Sequence, residues 1–198
     1  MRKELAESLD SRNTDYLSIG ITERGIPITG IPVPWEKTTS GFNMRIPEIW
    51  MSPEDLEDPQ VLERLTHFKV RGCYIYTQLR DYSVIGRFTE LWDLFICRAG
   101  GLRDLSFMKE LHQWFMLYIE GADLADISPA FPKNWRDKGL RSYCVGFVNC
   151  RIDDIRPMEQ PDVRLYELLI WNPRDDRGKA GWSGVRASCF TYRSKEKR

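Results

Sequence analysis

Two histidines, five cysteines and four aspartates that recur with a pattern are the residues of this chain that could carry chemistry. His67 and Asp93 come first. A carboxylate that orients an imidazole makes it a general base, and a nearby Ser or Cys would complete a nucleophilic constellation. Cys144 offers such a thiol. Polar groups of these types also scatter over ordinary surfaces, and that plainer reading is the expected one. The second histidine is His112.

Structural zinc needs Cys or His in close pairs, and no C-x2–4-C occurs among Cys73, Cys97, Cys144, Cys150 and Cys189. No metal and no cofactor is therefore expected. Cys73 and Cys150 read as buried structural thiols. The glycine-rich stretch "GKAGWSG" departs from the spacing of a phosphate loop and reads as a turn-rich connection. The aspartates Asp81, Asp104, Asp126 and Asp154 sit in "LRDYS", "LRDLS", "LADISP" and "IDDIRP". A metal ladder is one reading. Their recurrence at one place in a repeat favours another, in which each carboxylate bonds the backbone of a turn.

That recurrence belongs to a larger pattern. The template L-x-x-L-x-L-x-x-small fits "LTHFKVRGC", "LWDLFICRA", "WFMLYIEGA", "SYCVGFVNC" and "LYELLIWNP". The copies start at Leu65, Leu91, Trp114, Ser142 and Leu165, and a weaker one, "GFNMRIPEI", precedes them. An L-x-L alternation predicts a strand with one set of side chains inward and the other outward. A single unit of this size cannot bury its apolar face alone, whereas stacked units share one continuous core. The expected core residues are Leu94, Ile96, Leu117, Ile119, Val145, Phe147, Leu168 and Ile170. Ser52-Pro53 and Ser128-Pro129 suit helical starts, with Ser as cap and Pro at the first helical position.

On these two in-phase signatures, over residues 41–173, the chain resembles the leucine-rich repeat family, in particular the bacterial form with L-x-D-I-S-P units. The resemblance implies an α/β solenoid with a parallel concave sheet, short helices or turns on the convex side, and non-repeat caps at both ends. The position that the family usually gives to Asn is held here by Ile49, Cys73, Ala99, Ala122, Cys150 and Pro173. No asparagine ladder can form, so packing and backbone bonds must hold the turns. "CYIYTQL" and "PKNWRDKGLRSY" read as bulged loops in an irregular stack.

Residues 1–40 are expected to form an N-terminal cap or extended flank, with Tyr16–Trp35 as a hairpin or cover on the first coil. Residues 41–173 hold about five to six coils, and 174–198 a C-terminal cap strand and charged tail. "SPEDLEDPQVLERL" predicts one or two short helices, and "VRASCFTYRS" a last strand.

Hydrophobic residues make up 42% of the 198, which suits a folded domain, and Lys+Arg and Asp+Glu balance at 29 each. A balanced chain has no global field for nucleic acid. No stretch has the length of a membrane span. The charged start "MRKELAESLDSRNTDY" lacks the apolar centre of a signal peptide, and the odd cysteine count suits reduced thiols. A cytoplasmic setting is expected.

The outward strand positions form three columns. One reads His67, Asp93, Met116, Cys144, Glu167; the next Lys69, Phe95, Tyr118, Gly146, Leu169; the third Arg71, Cys97, Glu120, Val148, Trp171. An aromatic row of Phe95 and Tyr118 with Leu169 and Trp171, rimmed by Lys69, Arg71, Glu120 and Glu167, has the make-up of a protein-binding face. A flank folded over that face would bury it instead. The expected function is a non-catalytic module binding a protein or peptide, a second copy of the chain included. The alternatives are an enzyme or effector-like module with a site near His67 and Asp93, and a structural or immunity-type oligomeric partner.

Overall fold

The L-x-L pairs do align. The structure, a computed structural model, describes residues 3–28, 47–111, 114–131, 143–159, 165–171 and 185–188. Its main sheet contains β1 (Tyr16–Ile21), β2 (Ile49–Met51), β3 (Lys69–Ile75), β4 (Asp93–Ile96), β5 (Met116–Glu120), β7 (Tyr143–Val148), β9 (Leu165–Trp171) and β10 (Val185–Ser188). A small second sheet pairs β6 (Asp123–Leu124) with β8 (Arg151–Ile152). The order across the main sheet is β10-β9-β7-β5-β4-β3-β1-β2, and all pairs are parallel except β10 with β9.

Two columns of aliphatic and aromatic side chains run across seven strands on the inner face. One is Ile49, Ile19, Cys73, Leu94, Leu117, Val145, Leu168; the other is Met51, Ile21, Ile75, Ile96, Ile119, Phe147, Ile170. Every one of these residues is buried, including all eight expected from the repeat. Each strand alone would expose this row. Stacking removes it from water at about 25 cal/mol per Å² of apolar surface, which makes the stack the stable unit.

The convex side is built as the turn chemistry suggested. Asp81, Asp104 and Asp126 each accept a hydrogen bond from the backbone N–H of the Ser two residues on, at 2.8, 2.8 and 2.7 Å, and Asp154 accepts one from Arg156 N–H at 3.0 Å. Each bond opens a short 3-10 turn. These bonds stabilise the ionised carboxylate. Asp81 and Asp104 are lowered below the usual 3.8, and Asp154 falls to about 2, chiefly through the Arg156 side chain. At Ser128-Pro129 the serine is not the cap but lies inside the turn; Ile127 holds the cap position, and Asp126 accepts from the serine's N–H and hydroxyl. At Ser52-Pro53 the expectation holds: Ser52 Oγ accepts from Asp55 N–H, and Asp55 accepts from Ser52 N–H, a capping box for α2 (Pro53–Glu57). Asp58 then caps α3 (Pro59–Thr66) by accepting from Gln60 N–H.

Backbone bonds tie successive coils where the asparagines are missing. Ala99 N–H donates to Glu120 O at 2.8 Å, Gly121 N–H to Val148 O at 2.9 Å, and Arg151 N–H to Ala122 O at 2.9 Å. The Cys150 thiol lies 3.4 Å from Ile119 O in the preceding coil and 3.3 Å from Val148 O. It supplies one weak rung of the absent ladder. Arg98, Gly121 and Asn149 take positive φ, at 60°, 79° and 52°, at equivalent places just after β4, β5 and β7. These three coils turn their corners through the left-handed region there, which Gly and Asn adopt readily and Arg only at a cost.

Two expectations fail at the N-terminal end. Tyr16–Ile21 is neither hairpin nor cover but a parallel strand inserted between β2 and β3. The first full copy is also out of register by five residues: Cys73 and Ile75 pair with Leu94 and Ile96, where Phe68 and Val70 were expected. The weaker copy shifts alike, since Ile49 and Met51 hold the inward positions that were given to Met44 and Ile46. The physical reason lies in the template. Its L-x-x-L part is also the i,i+3 spacing of a helix, and Leu65 belongs to the buried stripe of α3 with Val61 and Leu62. Tyr74 and Ile75 are consequently strand residues, not part of a bulged loop; "PKNWRDKGLRSY" and "GKAGWSG" lie outside the described residues. A further helix, α1 (Lys3–Asp10), escaped the sequence reading. It buries Leu5 and Leu9, one helical turn apart, and is held by Arg64–Asp10 at 3.3 Å.

Candidate functional site

The corrected register redraws the outward columns. The central one runs Trp50, Gly20, Tyr74, Phe95, Tyr118, Gly146, Leu169. Phe95 and Tyr118 do lie on the face opposite the core, but they are not open to solvent: their exposures are 2% and 0%. They belong to a second hydrophobic cluster with Tyr74, Tyr76, Met116, Cys144 and Val148. Tyr74 stacks on Phe95 at 5.3 Å between ring centroids, and Phe95 on Tyr118 at 5.6 Å. Stacked rings at this distance attract beyond their area burial. Gly20 leaves room for Trp50, whose ring would meet an added Cβ at 2.5 Å. Burial pushes the Tyr118 hydroxyl well above its ordinary pKa, with Glu120 adding to the effect, and pushes the Cys97 thiol up to about 12. The expected open aromatic row is thus a packed, buried layer.

The remaining expected residues divide. Glu120 is half-buried at the end of β5, where Asn149 Nδ2 donates to its Oε1 at 3.5 Å. Glu167, Leu169 and Trp171 are placed by backbone pairing with Cys144, Gly146 and Val148. Lys69 leaves the column of Phe95 and Tyr118, and Arg71 leaves that of Cys97 and Glu120. Lys69 pairs with Tyr16, and Arg71 is the extra residue of a β-bulge, since Val70 pairs with Leu17 and Gly72 with Ser18. His67 and Asp93 are separated too. Asp93 pairs with Gly72, whereas His67 is the exposed C-cap of α3. Cys144 does share Asp93's column, two strands on, and is fully buried. Among the described residues no group of three or more His, Cys, Asp or Glu side chains is arranged to hold a metal ion, and no helix is long and apolar enough to cross a membrane.

The bulge brings together a cluster that the repeat did not announce. The Arg71 guanidinium carbon lies 3.6 Å from the Tyr16 ring centroid and 4.5 Å from that of Trp92. Lys69 Nζ lies 5.5 Å from the Tyr16 ring. Tyr16 and Trp92 remain 39% and 37% exposed. The backbone fixes all three strands here: Trp92 N–H donates to Arg71 O at 2.9 Å, Phe115 N–H to Trp92 O at 2.7 Å, and Lys69 N–H to Asp15 O at 2.7 Å. The result is a cation held between two aromatic faces, at the end of the sheet where the strands begin. On the convex side a groove of about 310 Å³ is lined by Arg80, Arg87, Glu57 and Asp81 among others, with the charges balanced.

Parallel strands that stack their L-x-L pairs inward, with aspartate-capped turns on the far side, define an α/β solenoid of the leucine-rich-repeat architecture. In sequence, no family profile and no curated protein matches the chain. Among solved structures it is similar to an internalin from Listeria monocytogenes, at 18% identity over 61% of this chain, with a TM-score of 0.38. The match spans 34% of that internalin.

Proposed function

We propose that this chain is a non-catalytic repeat module that binds another protein, and that it docks its partner at the strand-start end of the sheet through Tyr16, Trp92, Arg71 and Lys69. The observation that carries the reading is the contact of half-buried Arg71 with Tyr16 and Trp92, two aromatic rings that stay exposed. Tyr, Trp and Arg are the residue types enriched where interfaces concentrate their energy, and here they are rigidly held before any partner arrives. The rest of the outer aromatic face serves as the packed support behind them.

A photo-crosslinking amino acid at Trp92 tests this, with the same group at Lys109 on the convex side as comparison. The expected result is a discrete protein adduct from position 92 that disappears with Tyr16→Ala and is absent from position 109. Equal adducts at both positions, or none at 92, would refute it.

A further inference from the structure

The geometry points to an acidic peptide segment as the occupant of this patch, a step that rests on the protein-binding reading and specifies its chemistry. Two cations converge on one aromatic ring, Arg71 at 3.6 Å and Lys69 at 5.5 Å. Asp15 and Asp93 adjoin the patch in the chain, yet among the described residues neither Lys69 nor Arg71 forms an ion pair. Both cations lie against the same ring, so a carboxylate that arrives at its exposed part gains attraction from each.

Arg71 is also prepared for a planar acceptor. Its Nε is enclosed and has no hydrogen-bond partner, so the donors left for a ligand are the terminal nitrogens. Contact with the Tyr16 and Trp92 rings restricts the guanidinium, and its planar fork suits two parallel bonds to the two oxygens of one carboxylate. The exposed parts of the two rings then offer apolar contact to the side chains that flank the acid. Nucleic acid fits less well. A polyphosphate chain needs a track of cations, and this chain balances 29 basic against 29 acidic residues.

Short random peptides displayed on phage and selected on the full chain give the test. The expected winners are rich in Asp and Glu beside an apolar residue. Their Asn and Gln counterparts bind about tenfold or more weakly, and Arg71→Gln costs roughly tenfold to a hundredfold, the range of charge-assisted hydrogen bonds. Lys69→Gln, at an exposed position, weakens binding a few-fold and reduces its salt dependence. The melting temperature of each variant is measured alongside.

Acidic peptides that bind the folded Arg71→Gln protein as well as the parent would overturn the proposal. So would a phosphorylated peptide that binds where its acidic counterpart does not, or self-association abolished by Tyr16→Ala. Non-acidic winners that are lost with Tyr16→Ala and Trp92→Ala would sink the acidic chemistry and leave the protein-binding reading standing. Winners indifferent to all four residues would remove both.

Discussion

Arg98→Gly should stabilise this protein although it removes a large side chain. Arg98 holds φ at 60°, in the left-handed region, and its side chain is exposed. An L-residue with a Cβ pays about 1–2 kcal/mol there, and glycine loses roughly 0.5–1 kcal/mol more backbone entropy than other residues on folding. The difference is a gain of about 0.5–1 kcal/mol, or about 1–4 °C in Tm for a chain of this length. Gly121 supplies the converse. It occupies the equivalent corner at φ 79°, and the nearest atom to an added Cβ is Ala99 N at 3.9 Å, an ordinary contact. Gly121→Ala should therefore lose about 1 kcal/mol from backbone strain alone, without a clash. Urea unfolding followed by circular dichroism measures both. Arg98→Ala is the control, since it deletes the side chain but keeps the Cβ, and it should be nearly neutral. If Arg98→Ala stabilised as much as Arg98→Gly, the gain would come from losing the side chain and the corner argument would fail.

Leu117 is fully buried between Leu94 and Val145, so Leu117→Ala should lower unfolding free energy by about 2–5 kcal/mol in the same urea assay; a loss below 1 kcal/mol would contradict the shared interior. Stability should also respond to acid through the turn aspartates. The folded pKa values of Asp81, Asp104 and Asp154 lie below the unfolded 3.8, so their contribution is present above that value and is lost as pH falls toward about 2 for Asp154. Thermal melts between pH 5 and pH 2 should show the triple variant Asp81→Asn, Asp104→Asn, Asp154→Asn losing less stability than the parent over this window; parallel curves would remove the turns from the acid response.

Much of the architecture was legible in the chain because it depends on neighbours close in sequence. The alternation of Leu94, Phe95 and Ile96 states which side of a strand each occupies, and four strands obey it without correction. The Asp-x-Ser corners were readable for the same reason: an Asx turn closes within two residues. The left-handed corners carried a signal too, since Gly121 and Asn149 fall at one repeat position, but Arg98 at the same position in the preceding coil hid it. The first two copies misled because helix α3 supplies leucines at a spacing that the repeat template also accepts.

What the tertiary structure decided was which strands become neighbours and what lies in contact with their outer face. Nothing near Tyr16 in sequence announces that β1 will insert between β2 and β3, yet that insertion sets Tyr16 beside Arg71 and Trp92. Phe95 and Tyr118 face away from the core as their alternation requires, and are buried nonetheless. Periodicity along a strand fixes direction relative to its own backbone. Burial and pairing are sums over contacts between segments far apart in the chain, and no local pattern contains them.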